Sequence, residues 1–553
     1  MRRLPVVSLL ALLLLTAPAD WVGAQGAGST TKTATKTATK TATKTTTTSS
    51  TAKKTTAKKT TVSSTKRPAA APKATATAAK SRPKAAPRPK IAAASLTGAN
   101  ALESHLRTLL ANATNSGRWG VMVVSLSNGD TLYDHNGDEL LLPASTMKIY
   151  TAAIALERLG PNHRFRTQVL RTGSVRTNGI LAGDLILKGA GDPSLAPRVA
   201  GGTPGLQPLD ALAAQVAAAG IREIHGDLIG DASAFDGQRV PDGWRARHLQ
   251  TSYGTRVSAL SFNENLTTIT VRPSTRGAQV AFGQPVSGLD LRSAVTVRPN
   301  ARGASIRVWQ DTLTNEYRVS GWIGARSAPR TYQVVIEQPE QFVAAAFRAA
   351  LEAQGVRVTG VTRIGRATGA TQFVTAWDSP PVATLVTTMN GESNNHFAEL
   401  LFRNTARSSG AVGSAVIANE SLRTFLAERV GIPRRAVFAA DGSGLSTLDR
   451  VTPRSMIQLL DYSRSASWGP VMQASLPVAG RTETLKNRMR GTAAQGNLRA
   501  KTGTTGEVVS LGGYVTAKNG EQLAFSFIYN GADRWRARTA IDAMGVTLAS
   551  FSR

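Results

Sequence analysis

Three short groups of residues in this chain contain the side chains that acyl transfer requires. They are Ser145-Thr146-Met147-Lys148, Ser393-Asn394-Asn395 and Lys501-Thr502-Gly503. A serine hydroxyl becomes a nucleophile when a neighbouring base takes its proton, and a lysine can be that base in place of a histidine. The three groups together therefore predict a serine acyl-transfer site.

Ser145 and Lys148 are predicted to share one face of a helix that runs from Ser145 to Leu159, because they are three positions apart. A lysine acts as a base only if its pKa falls, through burial or through a second cation such as Lys501. The same Ser-x-x-Lys spacing recurs three times near the N-terminus, at Ser50, Ser63 and Ser81. Only Ser145 begins an amphipathic helix after an apolar strand, so this context supports the prediction.

The second group supplies a possible proton relay. Ser393 would pass protons between the lysine and the leaving amine, while Asn395 would hold Lys148 and the substrate amide. A rival Ser-x-Asn triplet, Ser261-Phe262-Asn263, precedes a β-rich run and is interpreted as structural. None of the six histidines lies beside a Gly-x-Ser-x-Gly turn, which argues against a histidine-based hydrolase.

The third group is suited to recognition of a substrate's terminal carboxylate. Lys501 and the hydroxyls of Thr502 and Thr504 provide a positive charge and donors. Gly503 would let a substrate approach the backbone closely, and an edge strand here could pair with an extended peptide.

The elements that must position these residues predict an α+β fold. Strand and helix patterns over residues 96–165 and 376–553 suggest one antiparallel sheet flanked by helices. Between them, residues 166–375 form a β-rich insertion of one or two nested domains. This insertion accounts for the 245 positions that separate Lys148 from Ser393.

The N-terminus predicts export. Residues 1–24 have the charged start, apolar run and small-residue end of a secretory signal peptide. Residues 25–95 are rich in Lys, Thr, Ala and Pro and predict a disordered tether. Its thirteen lysines and three arginines between residues 31 and 90, without an acid, supply about half of the net charge of +31. We expect a periplasmic or cell-wall-associated protein whose tether contacts anionic wall or membrane surfaces weakly or is a spacer, not a nucleic-acid binder.

The three groups resemble the Ser-x-x-Lys, Ser-x-Asn and Lys-Thr-Gly motifs of the penicillin-binding and serine β-lactamase superfamily. The long insertion is similar to that of class C, low-molecular-mass penicillin-binding proteins, which are D-alanyl-D-alanine carboxypeptidases and endopeptidases. Further stretches typical of that family are Gly183-Asp184-Leu185, Ser258-Ala259-Leu260-Ser261-Phe262-Asn263 and Asp441-Gly442-Ser443-Gly444-Leu445-Ser446. The resemblance covers about residues 98–550, and one departure is Glu483, where the family usually has glycine.

The resemblance implies a β-lactamase/transpeptidase-like fold and a role for each residue. Ser145 would attack the D-Ala-D-Ala bond with Lys148 as base, and the backbone N–H groups of Ser145 and Thr504 would hold the oxyanion. Ser393 and Asn395 would complete the relay, and Lys501, Thr502 and Thr504 would bind the carboxylate. Peptidoglycan peptides would be the substrates and β-lactams the inhibitors, with no cofactor or metal. Two alternatives stay open, a β-lactamase and a non-catalytic wall-binding module.

Overall fold

The computed structural model of this chain describes residues 96–197, 208–283, 289–311, 316–366 and 368–553. The predicted signal peptide and tether lie outside the described residues. No helix in the described ranges is both long enough and apolar enough to cross a membrane.

A five-stranded antiparallel sheet forms the centre of the molecule and is built from both ends of the described chain. Its strands, in spatial order, are β2 (Thr131–His135), β1 (Arg118–Ser125), β22 (Gln522–Asn530), β21 (Val508–Thr516) and β20 (Arg499–Thr504). Strand β20 therefore lies at the edge. Eight consecutive residues of β21 are buried, as expected for a strand covered on both faces.

Helices cover both faces of this central sheet. Helices α1 (Ala99–Ala111) and α10 (Arg534–Ser550) pack on one face. The other face is covered by a helical layer that consists of α2 (Met147–Leu159), α5 (Val382–Glu392), α6 (Asn395–Arg407), α7 (Ala415–Phe425), α8 (Pro453–Ser465) and α9 (Gly469–Ser475). Residues 147–156 of α2 are all buried, so this helix lies at the centre of its layer. The predicted α+β fold, a sheet flanked by helices, is confirmed.

The segment between α2 and α5 forms its own sheets. One has five strands in the order β16 (Thr362–Ile364), β8 (Leu228–Asp231), β6 (Leu185–Lys188), β3 (Arg166–Arg171) and β17 (Gln372–Asp378). A second has four strands in the order β15 (Arg357–Val358), β7 (Glu223–Ile224), β5 (Ile180–Ala182) and β4 (Ser174–Val175). Helices α3 (Pro208–Ala218) and α4 (Pro339–Ala353) share an apolar core with these strands.

Two further sheets are nested within this segment. They consist of β10 (Gly277–Phe282), β9 (Leu266–Ser274) and β14 (Arg330–Val335) on one side, and β11 (Asp290–Arg298), β13 (Glu316–Gly324) and β12 (Ala304–Gln310) on the other. The two sheets enclose a small core around Ile269, Tyr317 and Val319.

Two details differ from the sequence prediction. The sequence pattern of residues 221–229 predicts a single strand, but the chain there is divided between β7 and β8 in different sheets. A side chain at Gly226, between them, would overlap the carbonyl of Gly183, so the chain turns there. Strand β17 also extends three residues beyond the predicted boundary at 375, because Asp378 pairs with Arg166 at the start of β3.

Candidate active site

Ser145 lies in a tight turn that leads into α2. The carbonyl oxygen of Pro143 accepts hydrogen bonds from Thr146 Oγ1 at 2.7 Å and from Ser510 Oγ at 2.6 Å. Ala144 has a φ of 48°, in the left-handed region that costs a non-glycine residue roughly 1–2 kcal/mol. The surrounding bonds therefore hold a strained turn that presents Ser145 at the helix start.

Lys148 is fully buried next to Ser145. Its Nζ donates to three oxygens: Ser145 Oγ at 3.0 Å, Asn395 Oδ1 at 2.7 Å and the carbonyl of Ser443 at 2.7 Å. These bonds use all three donors of an ammonium group. The amine is thus fixed within proton-transfer distance of the hydroxyl.

Burial is the main cause that lowers the pKa of Lys148, to about 8. The negative charges of Asp441, Glu399 and Asp449 act in the opposite direction. Burial, and then the positive charge of Lys148, lower the pKa of Lys501 well below its usual range. The sequence suggested a second cation, Lys501, as one way to lower the pKa of Lys148; instead, desolvation lowers the pKa of both amines.

Ser393 and Asn395 flank the junction between α5 and α6. Ser393 follows α5 with a φ of 60°, a left-handed conformation that glycine adopts more easily. Its Oγ accepts a hydrogen bond from Lys501 Nζ at 2.8 Å. Asn394 caps α6 by accepting from the Phe397 N–H. This cap fixes the first turn of α6, from which Asn395 reaches Lys148.

Lys501, Thr502, Gly503 and Thr504 lie on strand β20, at the edge of the central sheet. Lys501 and Gly503 are buried, while Thr502 is partly exposed and Thr504 is exposed. A Cβ at Gly503 would overlap Ser510 Oγ and lie 2.8 Å from the Pro143 carbonyl oxygen. On the side where a Cβ would lie, Gly503 therefore makes its close approach to the chain's own turn before Ser145.

The predicted residues form two bonded groups that interact electrostatically. Ser145, Lys148 and Asn395 are linked by hydrogen bonds, as are Ser393 and Lys501. The outer edge of β20 has an isolated bridge between Val478 and Arg499 and is otherwise unpaired among the described strands. We call the surface along this open edge, beside Ser145, the cleft; both lysines are fully buried. The Oγ of the rival Ser261, in contrast, bonds to Ser258 and Asn265.

Asp441 is a site residue to which sequence reasoning gave no role. Its carboxylate accepts from the backbone N–H groups of Ser443 (3.0 Å), Gly444 (2.6 Å) and Ser446 (2.7 Å). The loop it organises presents the Ser443 carbonyl to Lys148. A side chain at Gly444 would overlap the Ala144 carbonyl, so the loop also contacts the nucleophile turn. The Asp441-Gly442-Ser443-Gly444 pattern was the available signal.

Two more buried carboxyl groups lie near this loop. Glu399 accepts from the Gly442 N–H at 3.2 Å, and Asp449 accepts from the Ala440 N–H at 2.8 Å. Burial, and then the charge of Asp441, raise the pKa of Glu399 to about 8 and that of Asp449 well above its usual range. Of the three carboxyl groups, Asp441 accepts the most backbone hydrogen bonds.

The inserted segment also contributes to the site. Trp244 Nε1 donates to Asp441 Oδ2 at 2.7 Å, and Asn395 Nδ2 donates to the Tyr253 carbonyl at 2.8 Å. Arg245 forms a two-bond ion pair with Glu507, after β20. Arg245, Arg247 and Glu507 border a small cavity beside Ala144 and Thr505. The segment thus holds in place Asn395 and the Asp441 loop, which both bond to Lys148. It also forms one wall of the cleft.

Metal binding has no visible basis in the described ranges, where no group of three or more His, Cys, Asp or Glu side chains could hold an ion. Glu483, the departure noted in the sequence, has a φ of 43°, which explains why glycine would be favoured there.

Comparisons with known proteins agree with this geometry. A model of the D-Ala-D-Ala carboxypeptidase 3 (S13) family matches residues 101–551. A D-alanyl-D-alanine carboxypeptidase from an Actinomadura species is 33% identical over 481 residues, which cover 84% of this chain and 87% of that protein. D-alanyl-D-alanine carboxypeptidase DacB of Haemophilus influenzae is 26% identical over 450 residues, 79% of this chain and 89% of that protein.

Solved structures show the same fold. The crystal structure of penicillin binding protein 4 from Haemophilus influenzae has a TM-score of 0.69 at 24% identity and covers 80% of this chain and 98% of that chain. The structure of the same protein with a β-lactam has a TM-score of 0.66 at 23% identity, with the same coverage.

Proposed function

The chain belongs to the D-Ala-D-Ala carboxypeptidase 3 (S13) family, and we propose that it cleaves D-Ala-D-Ala bonds of peptidoglycan peptides through an acyl-enzyme on Ser145. It is a serine-type hydrolase, a carboxypeptidase with or without D,D-endopeptidase activity. The observation that carries the assignment of residues is the buried Lys148 amine, 3.0 Å from Ser145 Oγ and 2.7 Å from Asn395 Oδ1.

Acylation begins when Ser145 Oγ attacks the carbonyl carbon of the D-Ala-D-Ala bond. Lys148, as the neutral amine, takes the hydroxyl proton while the C–O bond forms. The backbone N–H groups of Ser145 and Thr504 stabilise the negative oxygen of the tetrahedral intermediate. Burial supports this role for Lys148, because it shifts the amine towards the neutral form near pH 8.

The C–N bond then breaks and the leaving amine needs a proton. Lys148 gives up the proton that it took from Ser145 and returns to the neutral amine, and Ser393, whose Oγ lies 2.8 Å from Lys501 Nζ, relays that proton to the leaving amine. The terminal D-Ala leaves as a free amino acid. Water then attacks the ester carbonyl while Lys148 accepts a proton from it. The bond between the acyl carbon and Ser145 Oγ breaks, and Lys148 returns the proton to Oγ, which regenerates both groups.

The terminal carboxylate of the substrate binds to Lys501, Thr502 and Thr504. Without a bound substrate, Lys501 has a pKa well below its usual range, which disfavours a positive charge at this position. A bound carboxylate favours the charged amine and raises that pKa. Binding of the correct substrate terminus therefore also charges Lys501, next to Ser393.

β-Lactams should acylate the same serine. The Haemophilus influenzae structure with a bound β-lactam supports this expectation for a chain with the same fold. A β-lactam amide that opens on Ser145 leaves a stable ester if water deacylates it slowly. Rapid deacylation would instead indicate a β-lactamase.

Export and the tether are part of the proposal. Residues 1–24 act as a signal peptide, and residues 25–95 contact anionic wall or membrane surfaces through their lysines. Sedimentation of the exported protein with cell wall at two salt concentrations, with and without residues 25–95, tests the tether. Equal, salt-independent binding by both forms would leave the tether as a spacer.

The test of function uses labelled penicillin and a soluble peptide that ends in D-Ala-D-Ala. The unmodified chain should acquire the label and release D-Ala, and Ser145→Ala should do neither. Ser50→Ala is the matched control, because Ser50 has the same spacing to a lysine but lies in the tract before the folded residues. Equal labelling of Ser145→Ala would exclude the mechanism, and absence of both activities in the unmodified chain would favour a non-catalytic module.

A further inference from the structure

One face of the sheet β11–β13–β12 is exposed and carries arginine and tryptophan side chains. Along β13, Tyr317, Val319 and Ile323 are buried in the core, whereas Arg318 and Ser320 on the opposite face are exposed. Alternate residues of a strand point to opposite faces, so residues paired with 318, 320 and 322 share the exposed face. We call this face the Arg/Trp face.

The strand register defines its members. Arg318 pairs with Arg292 on β11 and with Trp309 on β12. Ser320 pairs with Ala294 and Arg307, and Trp322 pairs with Thr296 and Ser305. Arg298 lies two residues beyond Thr296, with its Cζ 4.3 Å from the ring centre of Trp322. The Arg/Trp face thus combines four arginines and two tryptophans.

Its charge is only partly neutralised. Glu316 forms ion pairs with Arg292 and Arg318, and its carboxylate is largely buried. Arg298 and Arg307 are exposed, and no ion pair is found for either among the described residues. The nested segment as a whole (266–335) contains nine arginines, three acids and no lysine, a net charge of +6. The face is therefore positive and rich in the residue that binds oxyanions with two donors.

The surface is also shaped to receive a ligand. Ala294 and Ser320 are small, and with Arg292, Arg318 and Trp309 they line a shallow groove. Trp309 is 46% exposed, and the guanidinium of Arg318 lies 5.3 Å from its ring centre. The register of the two tryptophans differs by four residues, about 13 Å along a strand. Trp309 thus lines the groove, and Trp322 lies further along the same face.

We propose that the Arg/Trp face binds an anionic glycan, namely a peptidoglycan strand, through its sugar rings and through the carboxylates of its peptides and of muramic acids that carry no peptide. Indole rings pack against the apolar faces of sugar rings while keeping a polar edge in water, and guanidinium groups bind carboxylates. The choice of a wall glycan rests on the proposed function, because the peptides cleaved at Ser145 are attached to such strands. Single-stranded nucleic acid and anionic lipid offer parts of the same chemistry and are tested as alternatives.

The experiment measures binding of the full chain to peptide-free glycan strands, whose muramic acids carry free carboxylates. The test variant is Arg307→Ala/Trp309→Ala. The matched control is Trp535→Ala/Arg538→Ala, which removes one positive charge and one tryptophan, 76% exposed, from helix α10. We expect the test variant to bind at least about tenfold more weakly and the control to bind as the unmodified chain does.

Three further probes decide the nature of the ligand. They are uncharged chito-oligosaccharides, oligo(dT) and phosphatidylglycerol vesicles. Equal binding of the test and control variants to glycan strands overturns the proposal, and so does tighter, face-dependent binding of oligo(dT) or vesicles. Equal affinity for chito-oligosaccharides would show that charge has no part and would also overturn it. Release of D-Ala from a soluble peptide should be unchanged in both variants, so this test fails separately from the proposed function.

Discussion

At the scale of single residues, the site depends on two lysines whose pKa values are lowered by burial. Lys148 has three oxygen partners, and burial keeps its pKa near 8 against the attraction of nearby carboxylates. The anionic Asp441 opposes burial by favouring the ammonium form. The pH at which Lys148 becomes a base is therefore set by a balance between desolvation and this carboxylate.

Asp441→Asn should shift the pH dependence of acylation to lower pH. The neutral amine is the base, so kcat/KM falls as the pH drops through the pKa of Lys148, about 8 in the unmodified chain. Removal of the Asp441 charge favours the neutral amine and lowers this pKa. The measurement is the pH at which the rate of penicillin acylation falls to half of its plateau value on the acid side, here called the acid limb. This pH does not depend on the height of the plateau.

Asp449→Asn is the control, because burial and the charge of Asp441 raise the pKa of the Asp449 carboxyl well above its usual range, and Asp449 is also the last of the three carboxyl groups in its effect on Lys148. Its acid limb should stay closer to that of the unmodified chain. Identical limbs in all three proteins, or a limb at higher pH in Asp441→Asn, would contradict this account of the lysine.

At the scale of elements, one strand and one helix must meet at close range. Strand β20 carries Lys501 and Thr504 along the cleft, and α2 carries Lys148 behind it. Gly503 allows this contact, because any side chain there would collide with Ser510 and the Pro143 carbonyl. The distance between the backbone N–H groups of Ser145 and Thr504, the proposed oxyanion donors, thus depends on one glycine.

Gly503→Ala should lower kcat/KM for D-Ala release by about 100-fold, the loss expected from a displacement of roughly 1 Å. Adding Ser510→Ala should not restore the rate, since the Pro143 carbonyl would still lie 2.8 Å from the new Cβ. Gly237→Ala, at a position with open space, should have no effect. Near-normal activity of Gly503→Ala would show that the strand can move away without cost.

At the scale of the whole molecule, the inserted segment is joined to the catalytic centre by hydrogen bonds. Trp244 bonds to Asp441, the Tyr253 carbonyl holds Asn395, and Arg245 pairs with Glu507. The buried Arg403 of α6 also pairs with Asp236 of the segment. The segment therefore positions the base as well as bordering the cleft.

Trp244→Phe keeps an aromatic ring but removes the Nε1 donor to Asp441. A hydrogen bond to a charged group contributes roughly 1.5–3 kcal/mol, so part of this energy should be lost from the organised loop. We expect acylation by penicillin to slow about tenfold, as measured by stopped-flow labelling. Trp535→Phe, on an exposed surface, should react normally. Acylation of Trp244→Phe at the unmodified rate would mean that the segment does not support the base.

The sequence by itself determined the fold class and the residues that meet in the cleft. Ser145 with Lys148 could be predicted because three positions along a helix fix their relative placement. The apolar periodicity of residues 208–219 and 396–406 also predicts helices, and α3 and α6 match these ranges within a residue or two because such periodicity is local. The catalytic roles of these residues stay predictions until the variants are measured.

Only the tertiary structure decided the rest. Asp441, Trp244 and the Tyr253 carbonyl act across separations of about 140 to 300 residues, and a local pattern does not encode which distant groups will meet. The burial that lowers the pKa of Lys148 likewise depends on α5, α6 and the Asp441 loop closing around it. The same holds for Gly503: the sequence shows a glycine, but only packing shows that the space it leaves is filled by the turn before Ser145.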